Sequence, residues 1–92
     1  MNITPKELEL LVNIAESNYV DGLDNAINDG TWTICLGTDG PFKISARSVS
    51  GRVSSCLKKG LVLNIVEKDP KESIVRLTEK GAEVYRNWKE KK

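Results

Sequence analysis

The chain is 92 residues long and carries a formal net charge of +1, from 14 Lys and Arg against 13 Asp and Glu. That length is one domain, since so few residues cannot bury a second core. At 39% hydrophobic and 29% charged it has the make-up of a globular domain, and no stretch approaches the roughly 18 apolar residues of a membrane span.

Met1-Asn2-Ile3-Thr4-Pro5-Lys6 has neither the basic head nor the apolar middle of a signal peptide, so a cytoplasmic location is expected. Thr4 is a good N-cap, Pro5 suits the first helical position, and Glu7 completes a Thr-x-x-Glu capping box. Leu8, Leu11, Val12 and Ala15 then repeat at helical steps, which predicts a helix over 5–16 with one apolar face.

From Tyr19 to Lys43 the pattern is weaker. Asp21-Gly22, Asp29-Gly30 and Asp39-Gly40-Pro41 punctuate it with turns. Leu23 to Ile27 has the length of a short helical turn. Thr31-Trp32-Thr33-Ile34-Cys35-Leu36 is β-branched and aromatic, which favours a strand, although a short apolar run does not separate strand from helix. The acids of this region do not form a calcium loop. With Gly30 at the sixth position, Ile27 and Leu36 would stand where oxygen ligands are required.

Beyond Lys43 the pattern sharpens. Ser45 caps a helix over 45–59, and Gly60 stands where a helix should stop. Leu61 to Val66 and Ser73 to Leu77 are strand-like, joined by the polar turn Lys68-Asp69-Pro70-Lys71-Glu72, so 61–77 reads as an antiparallel hairpin. Thr78 caps a last helix over 79–90, on which Gly81, Val84, Tyr85 and Trp88 form a stripe.

Two absences bear on function. With no His, Ser-His-Asp and Cys-His nucleophile pairs and the commonest metal ligand are removed. Cys35 and Cys56 have no third or fourth ligand nearby, so they read as free thiols, and no metal, cofactor or catalysis is expected.

The small net charge conceals a division. Residues 1–42 carry one base, Lys6, against seven acids, a net of −6, whereas 43–92 carry a net of +7. Between 43 and 62, Lys43, Arg47, Arg52, Lys58 and Lys59 occur with no acid among them. Such segregation points to a polyanionic partner, or to two halves that attract each other in the fold.

Leu57-Lys58-Lys59-Gly60-Leu61-Val62 and Leu77-Thr78-Glu79-Lys80-Gly81, with this order of helix, helix, hairpin and helix, resemble the winged helix-turn-helix module of MarR-type regulators of bacteria and related small bacterial or phage proteins. The resemblance covers residues 43–88 best, extends to the first helix, and implies an α+β, mainly α fold with a two-stranded wing and a C-terminal helix. The middle departs from that pattern. Gly37 to Lys43 is seven residues with an internal Pro, whereas a helix-turn-helix turn has three or four, and the helix that should precede 45–59 is not located.

On the 45–59 helix, Val49, Val53, Cys56 and Leu57 share one arc, the expected core face. Opposite lie Arg47, Gly51, Ser54, Ser55 and Lys58, with Ser48 and Arg52 at the margin. Small and hydrogen-bonding side chains between cations suit close approach to a duplex, although solvated helices are dressed alike. The resemblance puts this helix in the major groove, with Arg47, Ser48 and Arg52 on bases or phosphates and Lys58 on phosphate. Lys43, Gly51 and Ser55 are further candidates. Lys68, Lys71 and Arg76 could extend the interface through the wing, although Glu67, Asp69 and Glu72 interleave with them. Tyr85 and Trp88 are candidate contacts of a homodimer, which would supply two half-sites.

The expected function is thus double-stranded DNA binding in a small transcriptional regulator. The competing expectation is a winged-helix adaptor or inhibitor of a mobile element, engaging a protein partner through the acidic 19–43 surface, where Trp32 and Phe42 lie.

Overall fold

The computed structural model describes residues 3–17, 20–37, 40–65 and 73–91. In chain order these form α1 (Pro5–Ala15), α2 (Leu23–Asn28), β1 (Thr31–Trp32), a 3-10 turn (Thr33–Cys35), α3 (Ala46–Lys58), β2 (Val62–Ile65), β3 (Ile74–Leu77) and α4 (Glu79–Glu90). The architecture is α+β and mainly helical. The turn of the hairpin, with Lys68 and Lys71, and Tyr19 at the head of the acidic loop lie outside the described residues.

Helix α1 begins as its sequence requires. The Thr4 hydroxyl accepts from the Glu7 amide at 3.2 Å, and Glu7 Oε1 accepts from the Thr4 amide at 2.9 Å, so both arms of the capping box are made. The apolar face is broader than the 3-and-4 spacing suggests. Leu10, Leu11, Val12 and Ile14 are all fully buried, while Leu8 is only partly so. The cause is position: α1 is packed by α2, α3, α4 and β3 together, so its whole circumference near the C-terminal end meets protein. Each fully buried aliphatic side chain there contributes about 1.5–3 kcal/mol.

The three strands form an antiparallel sheet in the order β1-β3-β2. Register places Thr31 opposite Val75 and Val62 opposite Leu77, and all four are buried on the face turned to the helices. The alternate set lies on the other face, where Trp32, Ile74 and Ile65 form one row across the strands and Arg76 and Leu63 pair beside it.

The run Thr31–Leu36 divides in two. Thr31–Trp32 is strand, and Thr33–Cys35 is a 3-10 turn. The Thr33 amide still donates to Ser73 O at 2.9 Å, which ends the ladder, and the chain then turns inward to bury Leu36. A single buried polar residue fastens both Leu36 and Phe42. Asn13 of α1 donates from Nδ2 to Leu36 O (2.6 Å) and Phe42 O (2.8 Å), and accepts from the Phe42 amide at 3.0 Å. Between β1 and α3 the described residues therefore form one 3-10 turn and a tethered loop instead of a full helix.

Helix α3 starts at the Ser45 cap, whose hydroxyl accepts from the Ser48 amide at 3.2 Å. It ends in a Schellman arrangement: Gly60 N–H reaches Leu57 O (3.1 Å) and Leu61 N–H reaches Cys56 O (2.9 Å), with Gly60 at φ +72°. Leu57, placed by periodicity on the core arc, is instead 38% exposed. The core volume beside the helix end is filled by Cys56 and Leu61, both fully buried.

The two sequence motifs of the C-terminal half meet in space. Thr78 Oγ1 donates to Gly60 O at 2.7 Å and the Thr78 amide to Leu61 O at 3.1 Å. The same Thr78 hydroxyl caps α4 by accepting from the Gly81 amide at 3.1 Å. A Cβ at Gly81 would collide with the Leu61 carbonyl oxygen, so the glycine lets α4 lie directly on the exit of α3.

Candidate nucleic-acid interface

Helix α3 carries no acidic residue. Val49, Val53 and Cys56 face the core, and Arg47, Ser50, Gly51, Ser54 and Lys58 form a continuous exposed stripe opposite them. Three of the candidate residues, Arg47, Gly51 and Lys58, thus share one solvent-facing strip of α3 to which Ser54 belongs, and Lys43 is exposed in the loop ahead of it. Around Gly51, no heavy atom outside the helix's own backbone lies within 4 Å of the position a Cβ would occupy. Nothing within the described fold requires that glycine.

Ser48, Arg52 and Ser55 are placed differently. They are half-buried on the flank that meets α1. Arg52 Nε donates to Ser48 Oγ at 3.0 Å, and Arg52 Nη1 donates to Glu9 Oε1 at 2.9 Å and to Lys6 O at 3.4 Å. Ser55 Oγ donates to the Glu7 carboxylate, and Lys59 Nζ donates to Glu7 Oε1 at 2.7 Å. These three candidates therefore serve the α1–α3 joint in this structure.

Glu7 is 2% exposed, a position few carboxylates tolerate. Burial by itself pushes its carboxyl up, but hydrogen bonds from Lys59, Ser55 and Thr4 outweigh it and hold the group at about 2. One side chain thus completes the capping box and receives the C-cap lysine of α3. The sequence pattern reveals only the first task. Burial, reinforced by the nearby Glu7 charge, pushes the Cys56 thiol up to about 12, with Lys59 opposing, so this cysteine is a core side chain without thiolate character.

The remaining candidates are dispersed. Arg76 is on the outer face of the sheet, where Nη1 donates to Asn28 O at 3.1 Å and Nε is buried without a partner. Lys68 and Lys71 lie outside the described residues. Tyr85 is 5% exposed within the chain's own core, its hydroxyl donating to Glu16 Oε2 at 3.0 Å. Of the two candidate dimer contacts only Trp88, half-buried with its ring 6.0 Å from that of Tyr85, keeps appreciable surface.

In the acidic half, Asn25 accepts from the Asp21 amide at 3.1 Å and donates to Asp29 Oδ2 at 2.6 Å, which ties the loop to α2. Trp32 is 53% exposed, and Leu63 and Ile65 on the same sheet face are also exposed. Phe42 packs partly against the core.

Among the described residues no helix is long and apolar enough to cross a membrane, and no group of three or more His, Cys, Asp or Glu is placed to hold a metal ion. No family model, curated protein or solved structure matches the chain.

Proposed function

We propose that the protein binds double-stranded DNA through the exposed stripe of α3 and acts as a small transcriptional regulator of winged helix-turn-helix type. Support for the winged-helix reading comes from the order of elements, from the hairpin that follows α3 directly, and from the β1-β3-β2 sheet order. The contact between the Gly60–Leu61 exit and the Thr78 cap adds to it, because it sets the hairpin at a fixed angle to α3.

The observation that carries the DNA reading is Gly51. It costs about 1 kcal/mol of helix stability relative to Ala, and although it borders a groove shared with Thr4, Lys6 and Glu7, no atom of a neighbouring element lies within 4 Å of where its Cβ would stand. An external surface that must come close to the backbone accounts for it. The flanking Arg47 and Lys58 supply the charge that a phosphate backbone requires, and Ser54 supplies short hydrogen-bonding reach.

The test is fluorescence anisotropy with a mixed-sequence duplex at two salt concentrations, for the wild type and for an Arg47→Glu/Lys58→Glu variant. Binding that weakens with salt and is lost in the variant is expected. Equal binding by the variant would remove α3 as the interface.

A second reading, in which a protein partner is bound, is favoured by the sheet face. The exposed Trp32 borders a shallow cavity of about 310 Å³ that Asp29, Gly30, Thr31 and Ile74 also line. Exposed aromatic side chains beside a pocket are common anchors of protein contacts. Replacing Trp32 by Ala would leave DNA affinity unchanged under the first reading and remove the activity under the second.

A further inference from the structure

The ion pair between Glu9 and Arg52 joins α1 to the edge of the α3 stripe, and it differs in kind from the Glu7 site two residues earlier. Glu7 is sealed, with its side chain 3% exposed and three donors upon it. The Glu9 side chain is 35% exposed and that of Arg52 14%, so this pair sits at the rim, within reach of solvent and of any ligand lying along α3. A pair that still meets solvent contributes modestly to folding stability. Its larger effect is on which charges the surface offers.

We infer that Glu9 is an internal rival of the DNA phosphate for Arg52, and so determines which cations of α3 engage the duplex. The inference rests on the DNA reading above and assigns roles within that site. Nε of Arg52 is on Ser48 and Nη1 is shared between Glu9 and the Lys6 carbonyl, so the guanidinium is turned along the α1–α3 seam. Arg47 and Lys58 lie on the exposed stripe, and Arg52 does not. With Glu9 in place, Arg47, Lys43 and Lys58 are the cations presented. With its charge removed, Arg52 joins them.

The experiment is a double-mutant cycle of Glu9→Gln and Arg52→Gln, read as affinity for a mixed-sequence duplex across a salt series, with thermal denaturation of each variant to establish folding. Glu9→Gln should tighten binding several-fold and steepen the slope of log K against log salt by about 0.9, the signature of one more phosphate neutralised. Arg52→Gln alone should change affinity by less than about twofold, and in the double variant the gain should vanish. A folded Glu9→Gln variant with unchanged or weaker affinity would overturn the inference. So would the same gain in the Arg52→Gln background, which would assign it to net charge alone. Absence of salt-sensitive binding in wild type and Glu9→Gln alike would remove the DNA reading itself, and this inference with it, whereas retained wild-type binding that ignores Glu9 would remove only the inference.

Discussion

Glu7 and Lys59, 52 residues apart in the chain, meet as a 2.7 Å ion pair that fastens the first turn of α1 to the C-cap of α3. Because Glu7 is buried and also receives Thr4 and Ser55, the pair orients α3 on the body of the domain. Replacing Glu7 by Ala removes the carboxylate from all three donors at once. A loss of about 2–3 kcal/mol in denaturant unfolding is expected.

The same group sets an acid limit. Its carboxyl is held at about 2 in the fold, below the ordinary 4.5. A depressed folded value means that the unfolded chain takes up the proton first. The stabilisation is complete above the ordinary carboxylate range and is lost as pH falls towards 2. Thermal denaturation of the wild type should therefore show a falling Tm between about pH 5 and pH 2, and Glu7→Gln should flatten that decline. An equally steep decline in the variant would assign the acid sensitivity elsewhere.

Gly51→Ala separates stability from function. With open space around the site, the added methyl group should raise helix stability by about 1 kcal/mol, which for a domain of this size is a Tm increase of about 4–8 °C. A bulkier Gly51→Val or Gly51→Leu change should leave the fold intact and reduce duplex affinity by about tenfold or more, by holding α3 off the groove. Unaltered affinity in these variants would mean that no ligand approaches that backbone.

The elements most legible in the sequence are those whose boundaries are written locally. Thr4 with Glu7, Ser45, Gly60 and Thr78 each act within a few residues of their own position, and the structure places each cap and stop at the expected residue. The segment 31–44 is not legible in this way. Its described residues are held by Asn13, which lies 23 residues before Leu36 and 29 before Phe42, and no periodicity in the segment itself reports that tether. The division of the α3 polar residues is hidden for a similar reason. Ser48, Arg52 and Ser55 differ from Arg47 and Lys58 by their position next to α1, where Glu9 lies 43 residues before Arg52.

Asn13 supplies its own test. Its amide makes three hydrogen bonds to the loop while fully buried, so Asn13→Leu leaves two carbonyls and one amide of the loop without partners. A destabilisation of about 3 kcal/mol is expected. Hydrogen exchange should accelerate first around Leu36 and Phe42, the tethered ends of the stretch that delivers Lys43 and the Ser45 cap. Uniform acceleration across all elements would show that the tether is not local.

The measurement that tests the central claim most directly is an NMR titration of the labelled protein with a short mixed-sequence duplex at low salt. Binding through α3 predicts that the amides of Lys43 and of residues 45–58 shift together, most strongly around Arg47, Gly51 and Ser54, and that added salt reverses the shifts. Perturbation centred on Trp32, Ile74 and Ile65, or an unchanged spectrum at every duplex concentration, would contradict it.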